Sequence, residues 1–445
     1  MKDVPNWDKL SWQEKREERF KRWLSPPDVK FASQAAEKVY KQRVTRFIKA
    51  IKLEEPDRVP VMLPHGNYPA YWGGADFRTM MYDFITMRRI WINYMEEFGD
   101  MDTFNGPALI PSGRIAEALN SKLQKLPGLG LPDDASMNQF VEGEYMKPDE
   151  YDLLMADPTD YSLRVMAPRT TGLFESFAKL PPLRMLQGAM WVAALADPDV
   201  RQTFQTLMDL ADEHRRHQEA TMEINRYIRS RGYPSLFGGG PFIGAPFDHF
   251  ADTLRGTRGI VVDMFRQPRK LHQAMEYWLN LMISSIIKDF PMTGSPVWIM
   301  PLHKGDDVFM SDKQFAEFYW PYLRRLFLAM IEEGLVPMPF AEGKYTNRLK
   351  QITDTPKSGV IWWFDQTNMA LAKKTIGHVC CIVGNVPTSV VMKGTVQQVK
   401  DNCRQLIRDC APGGGYILAG GASIDNGKIE NLKAMMDAAK EYGKY

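Results

Sequence analysis

The chain has 445 residues, of which 44% are hydrophobic and 25% charged. This composition is typical of a globular protein and excludes disordered and fibrous classes. The 56 basic residues nearly balance the 54 acidic ones, and a net charge of +2 gives no electrostatic signal for nucleic acid or an anionic membrane. No segment has the unbroken apolar length of a membrane span, and the N-terminus does not resemble a signal peptide. We therefore expect a cytoplasmic protein that binds neither nucleic acid nor membrane.

The first 45 residues are dense in charge and contain Trp7, Trp12 and Trp23. We predict an N-terminal helical arm that lies across the main domain or against a partner subunit in a homodimer. Residues 46–445 form the main domain. In it a short apolar run, a loop and a segment of helical period follow one another repeatedly.

Eight of the apolar runs are candidate strands. Two have weak signals: the second run is short, and the fifth contains Pro337 and Pro339, which cannot donate ladder hydrogen bonds. In chain order the runs are Val59 to Leu63, Asp102 to Phe104, Ser235 to Gly238, Val297 to Leu302, Leu335 to Phe340, Val360 to Phe364, Val379 to Val383, and Tyr416 to Ala419.

The helices between these runs carry clear start signals. Ser311 with Gln314 and Thr395 with Gln398 have capping-box spacing. Strand followed by helix, with connections long enough for crossovers, indicates a parallel sheet with helices outside it. Eight such units predict an α/β fold, a (β/α)8 TIM barrel. The stretch from about 106 to 230 is too long for one crossover, so we interpret it as a helical insertion after the second strand.

The four cysteines do not form a disulfide framework. Cys403 and Cys410 share one helical stripe. Cys380 and Cys381 are neighbours in a predicted strand and therefore face opposite sides. We predict that all four are small core residues.

A set of motifs in one order and spacing resembles the uroporphyrinogen decarboxylase superfamily. The set covers residue 43 to the end apart from the insertion. The order of the motifs is more specific to the superfamily than any single motif. The motifs are Arg43 to Ala50 leading into Asp57-Arg58-Val59-Pro60-Val61, Asp306-Asp307 ahead of Phe315, Asp365 before Ala372-Lys373, Gly384-Asn385-Val386-Pro387, Gly394-Thr395, Gly413 to Leu418, Glu430-Asn431 and Tyr442-Gly443.

The resemblance implies a (β/α)8 barrel and one of two chemistries. These are decarboxylation of porphyrinogens, and methyl transfer to or from a corrinoid carried by a partner protein. Where the decarboxylases have an arginine after the first strand, this chain has Asn67, and the acid that they carry after the second strand is absent near Asn105. The thiol-specific methyltransferases hold zinc with a His-x-Cys pair and a later Cys. This chain has Phe340-Ala341-Glu342 and Gly421 at those places.

Carboxylates and imidazoles follow four of the predicted strands. His65, His303, Glu342 and Asp365 come after the first, fourth, fifth and sixth strands, and barrel enzymes place catalytic groups at these ends. Methyl transfer from an ether or amine needs an acid, which a carboxyl, an imidazolium or zinc could supply. We assign catalysis to Glu342, His303 and Asp365, and Glu342 with His303 are the candidate ligands of a possible zinc ion.

Each assignment has a structural alternative. His303 could cap the next turn, and Glu342 could form a salt bridge with Lys344 or Arg348. Asp365 could bind backbone amides, and Asn385 could serve only to shape the turn at Gly384 without binding substrate.

Aromatic side chains near the same ends suit an aromatic or methylated cationic substrate, although they could equally be core. Trp362 and Trp363 must face opposite ways, so at most one lines the pocket. The predicted substrate-binding residues are His65, Asn67, Tyr68, Tyr71, Trp363 and Asn385. With the resemblance, they predict a methyltransferase that moves a methyl group from a small methylated substrate, such as a methoxylated aromatic, to a separate corrinoid (cobalamin) protein. The alternatives are a lyase with a remodelled pocket and a non-catalytic barrel that binds a tetrapyrrole.

Overall fold

A curled parallel sheet forms the centre of the computed structural model, which describes residues 6–107, 109–287 and 290–445. Six strands build this sheet in the order β1-β9-β8-β7-β6-β5, and every neighbouring pair is parallel. A smaller sheet contains the three others. The strands are β1 Val61–Met62, β2 Gln124–Pro127, β3 Gly130–Leu131, β4 Gln139–Phe140, β5 Val297–Leu302, β6 Val336–Ala341, β7 Ile361–Phe364, β8 Cys381–Val383 and β9 Tyr416–Ala419.

The fold is therefore α/β with a TIM-like curled sheet, but two of the eight predicted strands are not strands. Residues 102–104 and 235–238 lie between β1 and β5 without a regular ladder. Side chains replace much of the ladder there. The Asp102 carboxylate accepts the Val61 N–H at 2.9 Å, and the Thr103 hydroxyl accepts the Leu236 N–H at 3.1 Å. The run 102–104 has only three residues, and side chains take part of its hydrogen bonding. Such a short apolar pattern was too weak a basis for predicting a strand.

Pro337 and Pro339 lie inside β6 and still permit a six-residue strand. Alternate N–H groups of a parallel strand point to opposite neighbours. Both prolines therefore lack a donor on the same side. Six residue pairs join β6 to β5, but only two join it to β7.

The lumen of the curled sheet is apolar and is covered at one end by the N-terminal helices. Alternate strand residues, among them Met338 and Val383, pack with Phe20, Trp23 and Phe47 in one buried cluster. These three belong to α1, Trp12–Leu24, and α2, Gln34–Ile51. The boundary that we predicted after residue 45 falls inside α2, and the division into an arm and a main domain stays a prediction.

Helices precede and accompany the small sheet in the first half of the chain. Residues 106–230 contain that sheet, several short helices and one helix of 33 residues. The short sheet was not predicted. The helices up to this point are α3 Tyr68–Trp72, α4 Phe77–Tyr82, α5 Phe84–Phe98, α6 Gly113–Leu119, α7 Tyr151–Ala156, α8 Pro158–Tyr161, α9 Ala167–Thr170, α10 Ala189–Ala194 and α11 Pro198–Ser230.

The second half alternates strands with helices that pack outside the sheet. Both predicted capping boxes are present, at Ser311 and Thr395. A π-helical turn, Phe250–Leu254, continues the helix Pro246–His249. The helices are α12 Pro246–His249, α13 Gly256–Arg266, α14 Pro268–Leu281, α15 Asp312–Gln314, α16 Trp320–Glu332, α17 Met369–Ile376, α18 Thr388–Lys393, α19 Val396–Cys410 and α20 Ile429–Tyr442.

The cysteines occupy the predicted positions. All four are unpaired thiols in buried positions. Cys381 faces the lumen, whereas Cys380 faces the layer between sheet and helices. Burial raises the pKa of Cys380 to about 11, so this thiol stays protonated near neutral pH.

The helices also bear on the predicted absence of a membrane span. Within residues 6–107, 109–287 and 290–445, no helix combines the length and the apolar character needed to cross a bilayer.

Candidate functional site

His303 and Glu342 meet at the carboxyl end of the central sheet. Val297 on β5 and Val336 on β6 face the lumen, and the two-residue period of a strand carries the same face on to His303 and Glu342. His303 Nε2 lies 3.7 Å from a carboxylate oxygen of Glu342, and the side chains are 38% and 45% exposed. This separation exceeds a hydrogen bond. Both groups can therefore bind a ligand at the mouth of the sheet.

The opposite side of the His303 ring contacts a second carboxylate. Nδ1 lies 2.6 Å from Asp252 Oδ2. Burial lowers the pKa of His303, but the Asp252 hydrogen bond and the charges of Asp248, Asp252 and Glu342 outweigh burial and raise this pKa to about 9. The imidazole is therefore protonated at neutral pH and can donate a proton from Nε2.

Glu342 also has an altered acidity. Burial raises the pKa of Glu342, and the nearby carboxylates of Asp365 and Asp252 raise it further against the opposing charges of His303 and Lys304. We predicted that Glu342 could instead pair with Lys344 or Arg348. Arg348 bonds to Asp312 and to backbone carbonyls, and it does not share an ion pair with Glu342 within the described residues.

Asp248 is the buried acid beneath this pair. Its oxygens accept the N–H groups of His303 and Lys304 at 3.0 and 3.1 Å, and the Tyr319 hydroxyl donates to it at 2.7 Å. Burial raises the pKa of Asp248, and the charge of Asp252 adds to this effect. The Lys304 ammonium lies 3.2 Å from Glu142 and 3.4 Å from Asp252.

Asp365 and Asn385 follow β7 and β8 and connect the loops of the mouth. The Gly343 N–H donates to Asp365 Oδ2 at 3.1 Å, which is the backbone-amide alternative noted for this acid. Asn385 donates to the carbonyls of Asp365 and Thr367 at 2.9 and 2.8 Å. Gly343 has φ +78°, and a Cβ there would come within 2.9 Å of Asp306 Oδ2, so this turn requires glycine.

Two aromatic rings lie one strand step below the acids. Phe340 and Trp363 pack with ring centroids 4.1 Å apart and face the lumen. Trp362 faces the helices and contacts Phe327. The predicted opposite orientation of the two tryptophans is confirmed, and Trp363 is the one on the side of the mouth.

His65 lies in a different environment from His303. Its Nδ1 is 2.9 Å from the Tyr94 hydroxyl, and edge-to-face contacts join its ring to Tyr94, Phe98 and Phe104. Its Nε2 is buried and has no hydrogen-bond partner among the residues that the structure describes. Burial lowers the pKa of His65 to about 3. Tyr68 packs against the same Tyr94 ring.

Asn67 and Tyr71 lie near another acid, Asp425, in the loop after β9. The Tyr71 hydroxyl donates to the Ser136 carbonyl at 2.9 Å, and the Ser136 hydroxyl donates to Asp425 at 3.3 Å. Burial raises the pKa of Asp425, while hydrogen bonds with Asn67 and Ser136 lower it. The four predicted binding residues at 65–71 thus contact these two clusters rather than the His303 and Glu342 pair.

The donor groups at the mouth do not match a zinc site. A catalytic zinc ion takes three protein ligands, and the described residues contain no group of three or more His, Cys, Asp or Glu side chains arranged for a metal. His303 Nε2 and Glu342 supply two donors, and Asp252 is bonded to His303.

The sequence prediction missed Asp248 and Asp252. They lie four residues apart in segment 246–254, a spacing that puts both on one helix face. An acid pair among the apolar residues Phe247, Phe250 and Leu254 was the available signal, and neither acid directly follows a predicted strand.

Comparisons with known proteins agree with this architecture. The uroporphyrinogen decarboxylase (URO-D) family model matches residues 193–442, more than half of the chain. The chain belongs to the uroporphyrinogen decarboxylase family. The motifs from Asp306-Asp307 to Glu430-Asn431 lie inside the matched residues, the match ends at Tyr442 of the last motif, and the opening motif at residue 43 lies outside it.

A solved methyltransferase from Methanosarcina mazei has a similar fold. The two share 16% sequence identity with a TM-score of 0.55, over 89% of this chain and 98% of that chain. No curated protein matches the sequence. At this identity the likeness establishes the fold of this URO-D family member.

Proposed function

We propose that this URO-D family protein is a methyltransferase. It moves a methyl group from a small methylated substrate, such as a methoxylated aromatic, to a corrinoid carried by a separate protein. The observation that carries the proposal is the pair of His303 Nε2 and Glu342, 3.7 Å apart and partly exposed at the mouth of the sheet. The methyltransferase fold of the Methanosarcina mazei protein supports it.

The pair supplies the acid that this chemistry requires. When the methyl group leaves an ether, its carbon–oxygen bond breaks and the bonding electrons remain on the oxygen. A reduced corrinoid on the partner protein would supply the electron pair for the new bond to carbon. The protonated His303 donates its Nε2 hydrogen to the oxygen, and the alcohol or phenol departs neutral. Glu342 stabilises the imidazolium before the transfer.

The rings below the pair suit the rest of the substrate. Phe340 and Trp363 offer an apolar aromatic surface one strand step below Glu342 and Asp365. An aromatic methyl ether can stack on such a surface while its oxygen reaches the acid.

The charges at the mouth disfavour a porphyrinogen substrate. Three acids, Asp252, Glu342 and Asp365, lie at the mouth of the sheet. Among the described residues, the cations beside them are His303 and Lys304. A molecule with many carboxylates needs arginine and lysine partners. Asn67 stands where the decarboxylases have an arginine. These features favour methyl transfer over decarboxylation.

A spectroscopic assay tests the proposal. The purified protein is mixed with a reduced corrinoid protein and with methoxyarenes or methylamines in turn. Consumption of the Co(I) absorbance with a methyl ether, and release of the matching phenol, is the expected result. No reaction with any donor, together with release of carbon dioxide from uroporphyrinogen, would reverse the proposal in favour of a decarboxylase.

A further inference from the structure

Two carboxylates on one short helical segment hold His303 from its backbone and from its ring. Asp248 belongs to α12 and Asp252 to the π-helical turn that follows. Their side chains share one face, and apolar neighbours such as Phe247, Phe250 and Leu254 bury the other side of the segment. The segment is therefore fixed to the fold before any substrate binds.

Asp248 fixes the backbone at the end of β5. Its two oxygens accept the consecutive N–H groups of His303 and Lys304, and Tyr319 donates to the same carboxylate. The side chain is 2% exposed. This arrangement sets the direction in which the His303 side chain leaves the chain.

Asp252 fixes the ring itself. One of its oxygens lies 2.6 Å from His303 Nδ1, and the other lies 3.4 Å from the Lys304 ammonium. A hydrogen on Nδ1 that is bound to Asp252 leaves only Nε2 to face Glu342 and the mouth. We infer that Asp252 is a positioning residue that holds His303 with its Nε2 turned toward the substrate.

The inference deepens the proposed function and rests on it for the identity of the proton acceptor. The charged groups that face the His303 ring are Asp248, Asp252 and Glu342, and Lys304 lies on the far side of Asp252. Glu342 lies beyond hydrogen-bond distance of Nε2. Asp252 is thus the group among them that bonds to the ring and can select which nitrogen is presented.

Nitrogen-15 NMR of the histidine side chains tests the orientation without any substrate. The His303 signals are assigned by their loss in His303→Asn. In the wild-type protein, neutral His303 should carry its hydrogen on Nδ1. In Asp252→Ala, the spectrum should change to a mixture in which Nε2 carries the hydrogen. An unchanged His303 tautomer in Asp252→Ala would overturn the inference.

Asp252→Asn covers the case in which the alanine variant does not fold. Its amide oxygen can still accept from Nδ1, so the Nδ1–H tautomer should persist while the loss of the negative charge makes His303 release its proton at lower pH. The same titration curve as in the wild-type protein would contradict a direct bond. Glu142→Gln is the matched control: it removes a carboxylate that bonds to Lys304 and Thr257, and the His303 signals should not move.

Kinetics separate a positioning role from substrate binding. With a donor identified by the assay above, Asp252→Ala should lower kcat at least about tenfold, as expected for a misoriented proton donor, and leave KM within about twofold. A raised KM with unchanged kcat would show that Asp252 binds substrate instead. If no donor is found but the tautomer changes as predicted, the proposed function fails and the positioning role stands.

Discussion

Two histidines that follow strands of the same sheet have opposite environments. His303 lies between Asp252 and Glu342, and its pKa is raised to about 9. His65 lies against Tyr94, Phe98 and Phe104, and its pKa is lowered to about 3. At neutral pH the first is an imidazolium at the mouth and the second is a neutral ring among aromatics. Position after a strand is therefore not enough to assign catalysis.

Strand parity accounts for the difference. On β1 the lumen-facing residue is Met62, while Val61 faces the helix layer. His65 is an even number of residues beyond Val61 and follows the outward face. His303 is an even number of residues beyond the lumen-facing Val297 and follows the inward face.

The largest expected effect separates the two histidines directly. His303→Asn keeps a donor near the Nδ1 position for Asp252 but removes Nε2. It should lower kcat for methyl transfer about 10²- to 10⁴-fold, the usual contribution of a general acid. His65→Asn should have a much smaller effect, because its contacts are with the aromatic cluster. Single-turnover kinetics on both variants provide the check, and equal losses of rate would show that the two histidines do not differ in their roles.

Glu342→Gln should have the next largest effect. It removes the negative charge 3.7 Å from Nε2 and so weakens retention of the His303 proton. A loss of about 1.4 kcal/mol of stabilisation corresponds to about a tenfold lower rate. Measurement of kcat against pH should also show the loss of activity beginning at lower pH than in the wild-type protein. A lower rate with an unmoved pH profile would indicate another role for Glu342.

The pH dependence of stability should have opposite signs for His303 and His65. Activity requires protonated His303, so kcat should fall as pH rises through about 9. The contribution of His303 to stability follows the same sign: it is fully present below the unfolded pKa of about 6.5 and lost as pH rises through about 9.

For His65 the folded pKa is depressed to about 3. The unfolded chain takes up this proton first, so stability should fall as pH decreases from about 6.5, by up to about 1.4 kcal/mol per pH unit. Urea unfolding at several pH values, compared between the wild-type protein and His65→Asn, measures this slope. The same slope in both proteins would contradict the burial of a neutral His65.

The smallest effect concerns the hydroxyl that bonds to His65. Tyr94→Phe removes the 2.9 Å contact to Nδ1 and should cost about 1 kcal/mol of unfolding free energy, the typical net value of one hydrogen bond. Its methyl-transfer rate should remain close to that of the wild-type protein. A large rate loss in Tyr94→Phe would indicate that His65 takes part in the reaction.

The sequence predicted the sheet better than it predicted the site. Long apolar runs such as Val297 to Leu302 became strands, and both capping boxes formed where Ser311 and Thr395 placed them. The run at Asp102 failed because its carboxylate bonds to Val61 and to arginines, which no pattern of apolar residues reveals.

Within the site, period-two alternation carried the prediction of Glu342, which the structure places beside His303. Asp248 and Asp252 could not be connected with His303 from the sequence, since they precede it by 55 and 51 residues. Only the packing of α12 beside β5 brings the two acids to His303. Asn67 was assigned from the resemblance, as the residue at the place of the decarboxylase arginine, and Tyr71 as an aromatic residue after the first strand. The structure places them instead near Asp425, in a loop more than 350 residues away.

A double-mutant cycle between His303 and Glu342 measures whether these two side chains act as one acid at the mouth of the sheet. Single-turnover rates of the wild-type protein, His303→Asn, Glu342→Gln and the double variant give the coupling free energy. We predict that Glu342→Gln has almost no further effect once His303 is replaced. Rate losses that multiply independently in the double variant would show that the two side chains act separately.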